Sequence, residues 1–283
     1  MFVRADRLLT EVNDGRFPKH AISFHWEGFV PHLVAYDSVD ERIMEIDLSR
    51  LDMTVSETRS CVGRFDEEYH PCPQTKIVRG SFDQCDACAE SWIPRQECVF
   101  EPKCEGELCD CHFCKRPHLV YAAFYGRKVK IGMTSGTRMA ERAIEQGADA
   151  IVALVDCENR FRAREMEKDI SRCLVLPQRM TRTDIVKQLA SNVTKNELED
   201  RYSKIRESLN DRYFLRGDSL TMLSEYPMHL RLEEVPTETE SHGTHRGKVR
   251  GKKGRYLFFE DEDDGAVKML DLSDLPSRHL LDR

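Results

Sequence analysis

Nine of the chain's eleven cysteines lie between Cys61 and Cys114, and no other feature constrains its fold as tightly. They are Cys61, Cys72, Cys85, Cys88, Cys98, Cys104, Cys109, Cys111 and Cys114; only Cys157 and Cys173 stand apart. So many thiols call either for disulfides or for metal. The opening MFVRADRLLTEVND is broken by charges and has no apolar signal core, so a cytoplasmic location is expected. In that compartment dense cysteines with C-x2-C pairs read as metal ligands. Two such pairs occur, QCDAC with Cys85 and Cys88, and CHFC with Cys111 and Cys114. Each knuckle presents two thiolates on one tight turn at an angle that suits tetrahedral zinc.

How the sulfurs divide among ions is open at this point. One partition joins the two knuckles in a single four-cysteine site and leaves five cysteines unused. A second uses two ions, with Cys61, Cys72, Cys85 and Cys88 in one set and Cys98, Cys104, Cys114 and either Cys109 or Cys111 in the other. Iron–sulfur clusters also take four thiolates. Free buried thiols fit poorly, because the segment has few aliphatic residues to bury them. A closed four-thiolate site leaves no open coordination position, so the metal is expected to build the fold and not to catalyse. His118 is the best-placed histidine for an additional ligand, and Cys157 and Cys173 read as core thiols.

Around this segment the 283 residues, 40% hydrophobic and 33% charged, suffice for a real core. No run approaches the roughly 18 apolar residues of a membrane helix. Residues 18–50 alternate apolar and polar as strands do. HLVYAAFYG and VKIGMT read as a hairpin, TRMAERAIEQGA as a helix stopped by Gly147, AIVALVD as a strand and RFRAREMEKDISRCLVL as a helix. TRTDIVKQLASN and TKNELEDRYSKIRESLND follow as helices, the second with Thr194 and Glu197 at capping-box spacing. KVRGKKGRYLFFEDEDDGAVKMLDLS reads as two strands of a closing hairpin. The expected organisation is therefore α+β. It comprises an N-terminal β region (1–60), a Cys-rich segment (61–117), a β-β-α-β-α module (118–176), a helical segment (177–212) and a C-terminal β region (213–283), the terminal regions supplying flanking antiparallel strands.

The module resembles the GIY-YIG nuclease superfamily. Leu119-Val120-Tyr121 stands at the first tripeptide and Lys130-Ile131-Gly132 at the second, with Arg142 and Glu167 on the following helices. The resemblance implies a Glu that binds one divalent metal beside the scissile phosphate, Mg2+ or Mn2+, and a Tyr that helps activate water. An Arg clamping phosphate and a carboxylate holding a hard cation are chemically sensible parts of such a site. More of the chain is similar to the uncharacterised archaeal and bacterial domain-of-unknown-function family 2797. That similarity rests on CVGRF followed by PCP, the QC-x2-C knuckle, C-x2-PH-x-VYAA-x2-G-x2-VKIGMT, R-x3-QGA, REMEK and GKVRGKKGRYL. It runs from about residue 20 to residue 272 and implies a Cys-rich zinc segment joined to a GIY-YIG-like module, without naming an activity.

The module departs from working nucleases of that superfamily. Lys130 replaces the second Tyr, Leu119 the first Gly, about two extra residues separate Gly132 from Arg142, and Gln146 stands where many have His. A lysine binds phosphate as a point charge, but it takes over a phenol's proton chemistry only if its pKa is strongly lowered. Each position also has a plainer role. Tyr121 can be a packed strand residue, and Glu167 can pair with Arg164 or Lys168 on its own helix. Arg142 is the best single phosphate contact.

The net charge is −7, yet Lys115–Arg142 holds seven Lys or Arg against one acid, Glu141. Such an excess can track a nucleic-acid backbone. A second basic run, Arg246–Arg255, precedes the acidic Glu260–Asp264 and can pair with it across a hairpin. With no Walker loop and no G-x-G-x-x-G after a strand, no nucleotide cofactor is expected. These residues predict a zinc-stabilised protein that binds RNA or DNA. The alternatives are a divalent-metal-dependent endonuclease and a non-catalytic interaction scaffold.

Overall fold

The computed structural model describes residues 18–80, 82–89, 98, 101–108, 110–229, 231–233 and 235–282; Cys109 lies outside the described residues. The chain begins with strands β1 (Lys19–Glu27), β2 (Val30–Asp37), β3 (Arg42–Ile46) and β4 (Leu51–Arg59), then the short β5 (Arg64–Phe65) and β6 (Tyr69–His70). Helix α1 (His112–Lys115), β7 (His118–Tyr125), β8 (Lys128–Ser135), α2 (Met139–Glu145), β9 (Ala150–Cys157) and α3 (Arg160–Leu174) follow. Next come α4 (Arg182–Leu189), α5 (Lys195–Leu209) and β10 (Thr221–Met222). The chain closes with β11 (Thr237–Glu238), β12 (Gly243–Lys253), β13 (Tyr256–Asp261), β14 (Val267–Asp271) and β15 (Arg278–Asp282). No helix among the described residues is long and apolar enough to cross a membrane.

These elements form two compact units. Met1–Glu90, Pro227–Leu230 and Pro236–Arg283 make the first; Ser91–Tyr226 and Arg231–Val235 make the second. The Cys-rich stretch is divided between them.

In the first unit nine strands form one sheet in the order β11-β14-β13-β12-β4-β15-β1-β2-β3. Strand alternation puts Leu33, Ala35, Leu51, Met53, Phe259 and Leu280 into a shared core. β4 lies between β12 and β15, so strands from the two ends of the chain interleave. The stretch KVRGKKGRYLFFEDEDDGAVKMLDLS forms three strands where two were expected. Gly254 and Gly265, with φ of 57° and 70°, each turn the chain back. In the second turn Asp261 and Asp264 accept from the backbone N–H groups of Asp263 and Ala266, both at 2.9 Å, so the acidic run spans the end of β13 and the turn after it. The neighbouring charges are spent within the sheet: Arg250 pairs with Glu260 at 3.5 Å, Arg246 with Asp52 at 3.1 Å, and Lys268 with Asp261 and Asp264.

The second unit is built on a four-stranded antiparallel sheet, β10-β9-β7-β8. β7 is buried along its whole length. One of its faces, carrying Val120, Ala122 and Phe124, packs with Ala163 and Ile170 of α3. α5 adds Leu198, Tyr202, Ile205 and Leu209, spaced to share one helical face. The capping box predicted at its start is formed: Glu197 N–H donates to the Thr194 hydroxyl at 3.3 Å and Thr194 N–H to the Glu197 carboxylate at 2.8 Å. Gly147 ends the turn after α2 at φ 75°, as the helix-stop reading requires.

Candidate functional site

The residues singled out in the sequence form two clusters, one in each unit, with a further group of cysteines in the second unit outside both. In the first unit, the end of β4 delivers Cys61, the loop after β6 delivers Cys72, and the tight turn of QCDAC delivers Cys85 and Cys88. Their four Sγ atoms all lie within 4.8 Å of one another. Tetrahedral Zn–S bonds of about 2.3 Å place sulfurs at comparable separations. The knuckle is a hydrogen-bonded turn, with Cys88 and Ala89 N–H both donating to the Cys85 carbonyl at 2.9 Å. Cys85 and Gly63 N–H donate to Cys61 Sγ at 3.2 and 3.4 Å, contacts that favour the thiolate. Gln84 ties the loops together through the carbonyls of Gly63 at 2.8 Å and Cys88 at 3.1 Å. Burial and the adjacent thiols push Cys88 up to about 12, so without a cation these groups do not all ionise together. A divalent cation reverses that balance, because it takes each sulfur as thiolate. Four cysteines so placed could hold a metal ion such as zinc, in a closed shell.

The remaining cysteines of the segment belong to the second unit. Cys98, Cys111 and Cys114 are buried and Cys104 is half-buried. Among the described residues their sulfurs do not form a group as tight as the first. They nevertheless gather locally: Cys111 N–H donates to the Gly106 carbonyl at 3.1 Å, and Gly106 N–H to Cys104 Sγ at 3.4 Å. Arg160 of α3 donates to the Cys98 carbonyl at 2.7 Å and to Cys114 Sγ at 3.8 Å. His118 Nδ1 is engaged with the Arg116 carbonyl at 2.9 Å.

The second cluster brings together Tyr121 on β7, Lys130 on β8, Arg142 on α2 and Glu167 on α3. Tyr121 stands on the face of β7 opposite Val120 and Ala122, is 1% exposed, and pairs with Gly132 across the β7–β8 ladder. Its ring lies directly over that glycine: a Cβ on Gly132 would sit 2.7 Å from the phenol oxygen. The Arg142 guanidinium is hydrogen-bonded to the phenol, yet burial dominates and holds the Tyr121 pKa above its ordinary value. Lys130 Nζ donates to Gln146 Oε1 at 2.5 Å, and Tyr125 Oη donates to the same oxygen at 3.1 Å. Burial first, and the Arg142 charge second, lower Lys130 to about 8.

Glu167 is buried, and burial raises its pKa despite the cations around it. It accepts from Arg164 Nη1 at 2.6 Å, so the pairing with Arg164 that its own helix offered is made. Arg164 also donates to Glu101 at 3.0 Å and Gln178 at 2.8 Å, and Glu101 in turn pairs with Lys168. Three cations, Lys130, Arg142 and Arg164, thus surround one buried carboxylate. Arg142 is the exposed member. The arrangement sets one exposed guanidinium, Arg142, beside a buried lysine and a buried carboxylate.

Sequence reasoning did not find Glu101, Gln178, Tyr125 or the bridging role of Gln146. The signal for Gln146 was its position four residues after Arg142, which places both on one helical face. Of the basic stretch, Lys115 is paired with Asp110, Lys128 with Asp184 at 3.9 Å, and Arg138 with Glu141 at 3.3 Å and Glu145 at 3.7 Å. Its local excess is therefore smaller than its composition.

A family model described as a protein of unknown function (DUF2797) matches residues 49–276. No curated protein and no solved structure matches the chain.

Proposed function

The chain belongs to the DUF2797 family, and from that premise we propose a zinc-stabilised cytoplasmic protein that binds nucleic acid. The binding element in this reading is a GIY-YIG-like module made of β7, β8, α2, β9 and α3, with Arg142 contacting phosphate. Its support is the chain order of hairpin, helix, strand and helix, with β7 between β8 and β9. The observation that carries it is the meeting of Tyr121, Lys130, Arg142 and Glu167, with cations outnumbering the carboxylate. Zinc would be held by Cys61, Cys72, Cys85 and Cys88. A second ion would take Cys98, Cys104, Cys114 and one of Cys109 or Cys111.

Binding is favoured over hydrolysis by the state of Glu167. A buried carboxylate already engaged by Arg164 offers a divalent cation little. Filter binding of RNA and DNA oligonucleotides from about 50 to 300 mM salt tests the reading, with affinity expected to fall steeply as salt rises. Absence of salt-dependent binding to either polymer would sink it.

One observation favours the second reading, a Mg2+- or Mn2+-dependent endonuclease. Lys130, lowered to about 8, meets the condition under which a lysine can replace the missing phenol in proton transfer. Cleavage that requires the metal and disappears in Glu167→Ala would establish it. Cleavage that persists in that variant would mark a contaminant.

A further inference from the structure

A cavity in the second unit is lined by β8, the end of α3 with the loop after it, and α5. Its floor is apolar, made by Val129, Leu174, Leu176, Met180 and Ile205. Four cations, Arg127, Lys128, Arg201 and Lys204, stand around it. Its volume is about 410 Å³, within the range of small-molecule sites. The acids nearby are already engaged. Asp184 pairs with Lys128 and accepts from the Thr181 hydroxyl at 2.8 Å, and Glu197, close to Arg127 and Arg201, caps α5 through Thr194. The cavity lining therefore carries four cations and one carboxylate, Asp184, which is already paired with Lys128.

The geometry of α5 aims this charge. Arg201, Lys204, Ile205 and Ser208 fall on one helical face, so the cations stand beside the apolar floor. Arg201 also donates to the Arg127 carbonyl, which fixes the β7–β8 turn at the rim. An independent feature marks the same place. Val175 ends α3 in the left-handed region at φ 54°, where glycine is the usual residue and a β-branched side chain is strained. Its side chain is 89% exposed on the lip of the cavity. Folding gains nothing from an exposed, strained valine, whereas a ligand's apolar body would cover it.

We propose that this cavity binds a small amphiphilic anion, a medium-length acyl chain ending in a carboxylate or a phosphate. The chain would lie on the Leu174–Met180 floor under Val175, and the head group would meet Lys204 and Arg201. The site is separate from the Tyr121–Glu167 cluster and does not depend on its function.

Calorimetric titration of the full chain with decanoate, decyl phosphate, decyltrimethylammonium and inorganic phosphate tests this. Saturable binding of either decyl anion is expected, with decanoate and decyl phosphate distinguishing the two head groups. Lys204→Glu, at an exposed side chain, should weaken that binding by at least about fivefold. Val175→Gly should relieve the backbone strain, keep the fold at least as stable and still weaken binding, an outcome that a structural role does not give. Equal binding of decyltrimethylammonium, equal binding of inorganic phosphate, or an unchanged affinity in Lys204→Glu would overturn the proposal. So would a Lys204→Glu variant that loses nucleic-acid affinity while its decanoate affinity stays intact, since the cations would then serve a phosphate backbone.

Discussion

The two clusters of this chain solve opposite electrostatic problems. Cys61, Cys72, Cys85 and Cys88 are four like groups held within 4.8 Å of one another, and as thiolates they would repel one another. Tyr121, Lys130, Arg142 and Glu167 are unlike groups that already satisfy one another through Gln146 and Arg164. The first could be completed by a cation such as zinc. The second is complete alone and turns one charge, Arg142, outward. Buried like charges therefore point to a structural ion, and buried mixed charges with an exposed arginine to an external anion.

The largest effect should come from breaking the first cluster. Cys88→Ser, or removal of metal by a chelator, should cost the first unit at least about 4 kcal/mol, the scale of a lost metal site. Metal analysis should show zinc falling together with the unfolding midpoint. A Cys88→Ser chain that keeps both its zinc and its midpoint would mean that the thiols are merely packed.

Acid offers the next test. His20 and His245, both in the first unit, are lowered to about 4, mainly by burial. The unfolded chain then binds more protons than the folded one between about pH 6.5 and pH 4. Stability is full above the unfolded value and is lost as pH falls through that window, by up to about 3 kcal/mol per histidine. Since His245 Nε2 is buried without a hydrogen-bond partner, His245→Leu should flatten the pH dependence of urea unfolding. An identical slope in that variant would mean that His245 contributes nothing to the acid sensitivity.

In the second cluster the comparable structural change is smaller. Gly132→Ala drives a methyl group to 2.7 Å from the Tyr121 phenol, and overpacking of this kind costs about 1–3 kcal/mol. Equilibrium denaturation would measure it, and no loss would mean that the Tyr121 ring moves freely. This close approach gives a physical reason for the glycine of the Lys130-Ile131-Gly132 tripeptide.

What the sequence disclosed follows from range. The elements of residues 118–176 and the helix that follows Thr194 were legible because hydrophobic period, Gly147 and the Thr194–Glu197 box are local signals. The grouping of Cys61 and Cys72 with the QCDAC knuckle was legible as one of two partitions, because spacing alone does not choose among sulfurs. The pairing of β4 with β12 and β15 was not legible. It joins residues such as Met53 and His245, and strand register at that distance leaves no periodic trace. Glu101 was missed for the same reason: its partners Arg164 and Lys168 are more than sixty positions away. The charge balance at Glu167, on which binding or hydrolysis turns, therefore became visible only in three dimensions.

Arg142→Ala should change stability least and is for that reason the sharpest test of the contrast. The Arg142 side chain is exposed and gives up one hydrogen bond to a buried phenol, so an effect of about 1 kcal/mol is expected. If Arg142 is the outward charge of an anion site, the variant should bind nucleic acid more weakly at low salt. The slope of log affinity against log salt should also fall by about 1, as expected for one lost phosphate contact. Loss of stability without any change in that slope would make Arg142 a structural partner of Tyr121. The second cluster would then resemble the first, a device for holding the fold, and its mixed charges would carry no message about ligands.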